Sequence, residues 1–305
     1  SALLLFGISL TYGLTGTTAY AGIAAALAGP EPLSQPFLLV AIGLIAAGLA
    51  FKIAAVPFHA WAPDAYEGAS APVAGFLAAG SKAAGLAAVG RVFLVAFNTE
   101  ANVVSTILVG LAALSLLVGS ILALPQTNMK RLLAYSSIAH AGYALLGLVA
   151  GTPAGVSATM TYAFFYVFMT LGAFGVLVAL GERGESLDGF EGLATQRPGT
   201  AALMMLFLLS LTGIPPTAGF AAKFIVISSA VQAGHIALAV LAVVCSVVTA
   251  FVYMRVVVFM YMRTTERPVP PRFPATISAA LALAALVTLF GGIFPGALAL
   301  WAVAP

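Results

Sequence analysis

The stretch LTGIPPTAGFAAKFIV, Leu211 to Val226, carries a single lysine, Lys223, in a run otherwise made of apolar residues and hydroxyls. Formal charge does not recur along the chain until Arg197 on one side and Arg255 on the other. Gly213, Pro215, Pro216 and Gly219 interrupt the run just before the lysine. Proline removes a backbone donor and clashes with the preceding turn, so a helix breaks here. In lipid, a broken helix survives only where protein or a polar cavity takes up the freed backbone groups. A solitary ammonium beside such a break predicts a membrane helix interrupted around a polar interior.

The rest of the chain agrees with a membrane setting. Its 305 residues are 62% hydrophobic and 7% charged, and the mean hydropathy is +1.11. A water-soluble domain carries about 25% charged residues. Apolar stretches of about 20 residues, enough to span a hydrocarbon core of about 30 Å, recur along the sequence. The fold class expected is all-α and polytopic in the membrane; the short alternating segments of a β-barrel are absent. The lipid bilayer is the expected surrounding, and nucleic acid is not an expected partner. Cys245 is the only cysteine, which excludes a disulfide framework or a thiolate metal cluster. The three histidines are scattered, no CxxC or HExxH occurs, and no glycine-rich phosphate loop follows a strand pattern. No cofactor or metal site is expected in this chain.

Apolar length and Gly/Pro punctuation give nine segments. The first covers about 1–14 with a continuation towards 28, followed by 36–60, 71–97, 102–123, 130–150, 155–180, 199–229, 234–262 and 276–302. Two are broken internally, at Val56-Pro57-Phe58-His59 and at Gly213-Ile214-Pro215-Pro216. The opening SALLLFGISL lacks the charged n-region of a signal peptide and is expected to lie inside a helix. With nine spans, Lys130, Arg131, Arg183, Arg197, Arg263, Arg267 and Arg272 share one side, while the opposite loops (15–35, 98–101, 151–154, 230–234) hold no lysine or arginine. The positive-inside rule puts the basic side in the cytoplasm or matrix. Arg91 lies a turn or two inside a helix end on the other side. An internal echo also appears: Pro72-Val-Ala-Gly-Phe76 precedes Lys82, and Pro216-Thr-Ala-Gly-Phe220 precedes Lys223. Two broken helices fit the repeated architecture of transporters, but five common membrane residues can also match by chance.

Lys52, Lys82 and Lys223 each fall within an apolar segment. A mid-membrane lysine costs about 2.5–3.5 kcal/mol on insertion scales. Each amine either snorkels to the headgroups or serves a function. Burial penalises the charged form of an amine, which lets a lysine exchange its proton, whereas arginine stays charged. Lysine rather than arginine at mid-span therefore points to a proton relay. Histidine titrates near neutrality and can extend one. His59 follows Lys52 by seven residues, although Pro57 disturbs the register. His140 has Ser136 and Ser137 one turn before it and Tyr143 one turn after, hydroxyls able to hold water beside the imidazole. Either histidine is otherwise a satisfied core residue. Asp64 and Glu67 read as loop carboxylates at a cytoplasmic helix end, solvated, capping the next helix or taking up protons. Arg255 reads as a helix anchor or as a contact for a neighbouring subunit.

Three motifs, FKIAAVPFHAWAPDAYEGASAPVAGFLAAGSK (51–82), NMKRLLAYSSIAHAGY (128–143) and LTGIPPTAGFAAKF (211–224), resemble the antiporter-like proton-translocating subunits of respiratory complex I, NADH:quinone oxidoreductase. These are related to subunits of multisubunit sodium/proton antiporters and membrane-bound hydrogenases. The wording of the first motif is most similar to the N-type subunit, and the M-type usually has glutamate in place of Lys223. The resemblance implies fourteen core helices with two inverted five-helix repeats, of which the nine segments would be the sixth to fourteenth in an N-terminally truncated sequence. Residues 1–97 would then complete the first repeat, 98–262 form the second, and 263–305 supply a cytoplasmic loop and the final helix. By motif, Lys52 and Lys223 would be the broken-helix lysines of the two half-channels, Lys82 the connecting lysine, and His59 and His140 members of the central polar axis. The family's glutamate partner of the first lysine is expected before Ser1.

The resemblance implies a non-redox subunit that couples quinone reduction to proton transfer through Lys52, Lys82, His59, His140 and Lys223. NADH, FMN, iron–sulfur clusters and quinone would be held elsewhere in the complex. The partners would be neighbouring antiporter-like and small membrane subunits in a bacterial plasma (inner) membrane. Two other readings remain open on sequence alone: a cation/proton antiporter subunit without redox function, and a scaffold whose lysines pair structurally.

Overall fold

The computed structural model describes residues 2–29, 34–265 and 274–294. Twelve helices carry the architecture: α1 (Ala2–Thr15), α2 (Tyr20–Leu27), α3 (Gln35–Ile53), α4 (Trp61–Gly68), α5 (Ala71–Ala96), α6 (Ala101–Ala123), α7 (Met129–Val149), α8 (Pro153–Leu180), α9 (Pro198–Thr212), α10 (Ala218–Gln232), α11 (Ile236–Met262) and α12 (Ala275–Ile293). No strand occurs among the described residues. Seven helices are long and apolar enough to cross a membrane alone, and the pair α1 and α2, bent by 55°, makes an eighth span. The seventh expected segment, 199–229, is the two shorter helices α9 and α10. The last expected segment, 276–302, is helical to Ile293, and residues 295–302 lie outside the described residues.

Helix ends follow local chemistry. The Asn128 side chain accepts from the Arg131 amide at 3.1 Å to start α7, and Thr152 accepts from Gly155 at 3.0 Å ahead of Pro153 to start α8. Such caps satisfy amides that no intrahelical carbonyl reaches. At the first break α3 stops at Ile53 because Ala54 turns left-handed, with φ of 55°. The turn is held by the Val56 amide donating to Ser115 Oγ at 2.9 Å and the Trp61 indole donating back to the Phe51 carbonyl at 3.0 Å. At the second break Gly213, with φ of 90°, ends α9. A side chain there would be strained, and its Cβ would lie 2.9 Å from Lys223 Cδ. Each break contains one cis X-Pro bond, Val56-Pro57 and Pro215-Pro216.

Helix α7 is the axis of the molecule: nearly every residue from Met129 to Val149 is buried. Helices α5, α6, α8, α10 and α11 surround it. It packs tightly against α6, where a Cβ added at Gly119 would fall 2.4 Å from the Ala139 nitrogen, and against α8, where one added at Gly155 would fall 2.2 Å from the Gly147 carbonyl oxygen. Small residues at such crossings let backbones meet and supply packing that lipid exclusion does not.

One end of the bundle is ionic. Lys130 pairs with Glu185 at 2.8 Å, Arg131 with Asp64 and Glu67 at 2.6 and 2.9 Å, and Arg263 with Glu191 at 3.0 Å. Arg183 binds the Gly189 and Glu191 carbonyls. Of the basic residues assigned to one side, Lys130, Arg131, Arg183 and Arg263 thus meet there, and Arg267 and Arg272 lie outside the described residues. Asp64 and Glu67 sit on the short helix α4 rather than in a loop, because Arg131 reaches across and neutralises both. Arg255 also acts within the chain. It donates to the Leu124 carbonyl at 2.6 Å and to that of Gln126, placing a cation at the negative C-terminal end of α6.

Candidate proton-relay site

Lys223 projects from the second turn of α10 back across the break towards the end of α9. Its ammonium donates to the Thr212 carbonyl at 2.8 Å and to Ser246 Oγ on α11 at 2.9 Å, and lies 4.2 Å from the centre of the Tyr143 ring. The carbonyl it meets belongs to the buried last turn of α9, where carbonyls lack intrahelical amide partners and the helix dipole favours a cation. Lys223 is 5% exposed and has no carboxylate partner among the described residues. The break therefore does chemistry as well as geometry: it frees the acceptor that binds the ammonium.

Lys82 sits at mid-length in α5, 2% exposed. Its ammonium donates to both the carbonyl and the hydroxyl of Ser137 on α7, and it too has no carboxylate partner among the described residues. Ser137 and Tyr143 stand six residues apart, about 9 Å along α7. His140 lies midway between them. Its Nδ1 shares a hydrogen bond with the Tyr162 hydroxyl of α8 at 2.6 Å, and its Nε2 faces the Tyr253 hydroxyl of α11 at 3.3 Å. Tyr253 is in turn bonded to Ser136. The Tyr143 hydroxyl donates to the Ala242 carbonyl at 2.9 Å. Tyr166 stacks on the His140 ring with centroids 5.1 Å apart, and its buried hydroxyl has no hydrogen-bond partner; neither has Thr170 Oγ1. Unpartnered buried hydroxyls are where ordered water enters a polar interior.

The structure brings together Lys82, His140 and Lys223, while Ser136, Ser137 and Tyr143, expected to hold water beside the imidazole, are taken up by Tyr253, Lys82 and the Ala242 carbonyl. Each of those hydroxyls has a protein partner. Lys52 and His59 are placed apart from this cluster. Lys52, in the last turn of α3, is exposed on the described chain and has no hydrogen-bond partner there; its stem packs beside Gly85. His59 lies in the turn after the break, half-buried, with Nδ1 unpartnered. Tyr162, Tyr166, Tyr253 and Ser246 are the members that sequence reasoning missed. Ser246, Thr249 and Tyr253 at spacings of three and four do share one face of α11, which is the signal that was present.

A many-spanning helical protein with two interrupted helices and buried, carboxylate-free ammonium groups is of the antiporter-like class. The chain belongs to the NADH:quinone oxidoreductase/Mrp antiporter transmembrane family, which its residues 1–249 match. It is 48% identical over 97% of its length to NADH-quinone oxidoreductase subunit N 2 of Rhizobium meliloti, covering 62% of that protein. It is 46% identical over 99% of its length to subunit N of Desulfovibrio desulfuricans, covering 64%. The fold matches a chain of respiratory complex I from Thermus thermophilus with a TM-score of 0.83 and 37% identity, over 98% of this chain and 65% of that one. A chain of the Mrp complex from Dietzia sp. gives 0.87 with 25% identity, over 99% and 64%. The chain thus spans about six tenths of the length of the relatives it matches. It is an integral, multi-pass membrane protein.

Proposed function

We propose that this chain is the proton-translocating part of an N-type antiporter-like subunit of NADH:quinone oxidoreductase, and that protons pass between Lys82 and Lys223 by way of α7. One observation carries the reading. Two buried ammonium groups, each held by carbonyls and hydroxyls without a carboxylate, flank a buried imidazole that is hydrogen-bonded at both nitrogens. An ammonium without a fixed counter-ion can lose its proton without stranding a buried carboxylate. Charge placed on one site then alters the proton affinity of the next. Lys52 and His59 would serve the first half-channel, completed by residues 1–97 with the break at 54–60; residues 98–262 would form the second. NADH, FMN, iron–sulfur clusters and quinone would be handled by other subunits, and the partners would be neighbouring membrane subunits. The identity to subunit N, 48% against 25% for the Mrp chain, favours the redox-coupled complex over a stand-alone antiporter.

The test replaces Lys223 with Ala in the full-length subunit of the assembled complex, then follows quinone reduction and proton pumping in sealed vesicles. The proposal predicts loss of pumping attributable to this subunit. Wild-type rates of both would remove Lys223 from the path.

A further inference from the structure

His140 has two neighbours that are not interchangeable. Tyr162, Nδ1 and Nε2 of His140, Tyr253 and Ser136 form a file with three hydrogen-bond links. Each hydroxyl brings one hydrogen and a neutral imidazole brings one, so four hydrogens serve three links and one is left over at an end. If the ring carries its hydrogen on Nδ1, that hydrogen points at Tyr162, and the Tyr162 hydroxyl hydrogen must point elsewhere. Tyr162 is 1% exposed, and its bond to His140 is its only hydrogen bond among the described residues. If the ring carries its hydrogen on Nε2, Tyr162 donates to Nδ1, Nε2 donates to Tyr253, and Tyr253 donates to Ser136. The spare hydrogen then falls on Ser136, a helical serine that can turn it to the carbonyl four residues earlier.

We infer that Tyr162 is a positioning residue that fixes neutral His140 as its Nε2–H tautomer, so that the ring presents its hydrogen to Tyr253 of α11. This rests on the proton-relay reading above. Tyr166, on the same helix as Tyr162, places its free hydroxyl beside Ser137, the residue that binds Lys82. Tyr253 shares a face of α11 with Ser246, which binds Lys223. The charged and titratable groups around His140 are Lys82 of α5, Lys223 of α10, Tyr143 of α7, Tyr162 and Tyr166 of α8, and Tyr253 of α11.

The experiment uses the assembled complex with the full-length subunit carrying Tyr162→Phe or His140→Ala. Pumping coupled to quinone reduction is measured across pH. Tyr162→Phe is expected to slow pumping about tenfold, the factor that one net hydrogen bond commands, and to displace the pH profile. A Tyr162→Phe enzyme with the wild-type profile, at any rate, overturns the inference, because a purely structural hydroxyl would not move it. If that variant is wild-type while His140→Ala stops pumping, the inference fails and the relay reading stands. If His140→Ala also pumps normally, the relay reading itself has failed. Should Tyr162→Phe not assemble, nitrogen NMR of labelled histidine in the wild-type complex reads the tautomer directly, and a His140 ring carrying its hydrogen on Nδ1 overturns the inference.

Discussion

Lys223→Met separates a proton carrier from a structural cap. The ammonium makes two hydrogen bonds, to Thr212 and Ser246, and faces the Tyr143 ring. Hydrogen bonds to a charged group are worth about 1.5–3 kcal/mol each, and a desolvated cation–π contact about 2 kcal/mol. Roughly 5–8 kcal/mol therefore favours the ammonium, opposed by a burial penalty of several kcal/mol for the ion. The two nearly cancel. Nor does the substitution orphan the acceptor, since Ser246 Oγ itself donates to the Thr212 carbonyl at 3.0 Å. Methionine is flexible and of similar length, so it fills the space. The expected change in stability is within about 1 kcal/mol, read as an unshifted apparent melting midpoint of the solubilised complex, while pumping through this subunit is lost. A loss near 3 kcal/mol, as when one partner of a true buried ion pair is removed, would refute the reasoning and make the ammonium a structural cap.

Other substitutions test the scaffold around the path. Arg255→Met removes the donor to Leu124 and Gln126 at the end of α6; thermal melting is expected to report a loss of about 2–3 kcal/mol, with Arg255→Lys recovering part. Gly119→Ala drives a Cβ to 2.4 Å from the α7 backbone at Ala139, and is expected to cost about 1–3 kcal/mol through overpacking, again by melting. Glu185→Gln breaks the pair with Lys130, but the Glu185 side chain is 49% exposed, so the cost should stay below about 1 kcal/mol and shrink with added salt.

Much of the fold could be read in the sequence because charge inside grease is conspicuous. Lys82, Lys223 and His140 stood out as polar residues without neighbours of their kind, and Pro57, Pro215 and Pro216 marked both breaks. The tyrosines did not stand out. In a helix such as TYAFFYVFMT, Tyr162 and Tyr166 have the same spacing and bulk as core phenylalanines, and only their contacts show that the Tyr162 hydroxyl and the Tyr166 ring meet His140. Asp64 and Glu67 looked like solvated loop residues because their partner, Arg131, is more than sixty positions away. Arg255 invited a neighbouring subunit for the same reason: its acceptors are backbone carbonyls of α6, which leave no mark in a sequence. Lys52 was singled out by the same criterion as Lys223. In the fold it stands at the end of α3, exposed on the described chain and apart from the axis that joins Lys82 to Lys223.

The central claim is that Lys82 and Lys223 lie on one continuous path. Pumping rates of Lys82→Met, Lys223→Met and the double variant, in the assembled complex reconstituted into sealed vesicles, test it most directly. Residues that act as a unit are not additive, so two breaks in one series path predict a double variant no slower than the slower single. Losses that multiply in the double variant would mean two independent routes and would contradict the account.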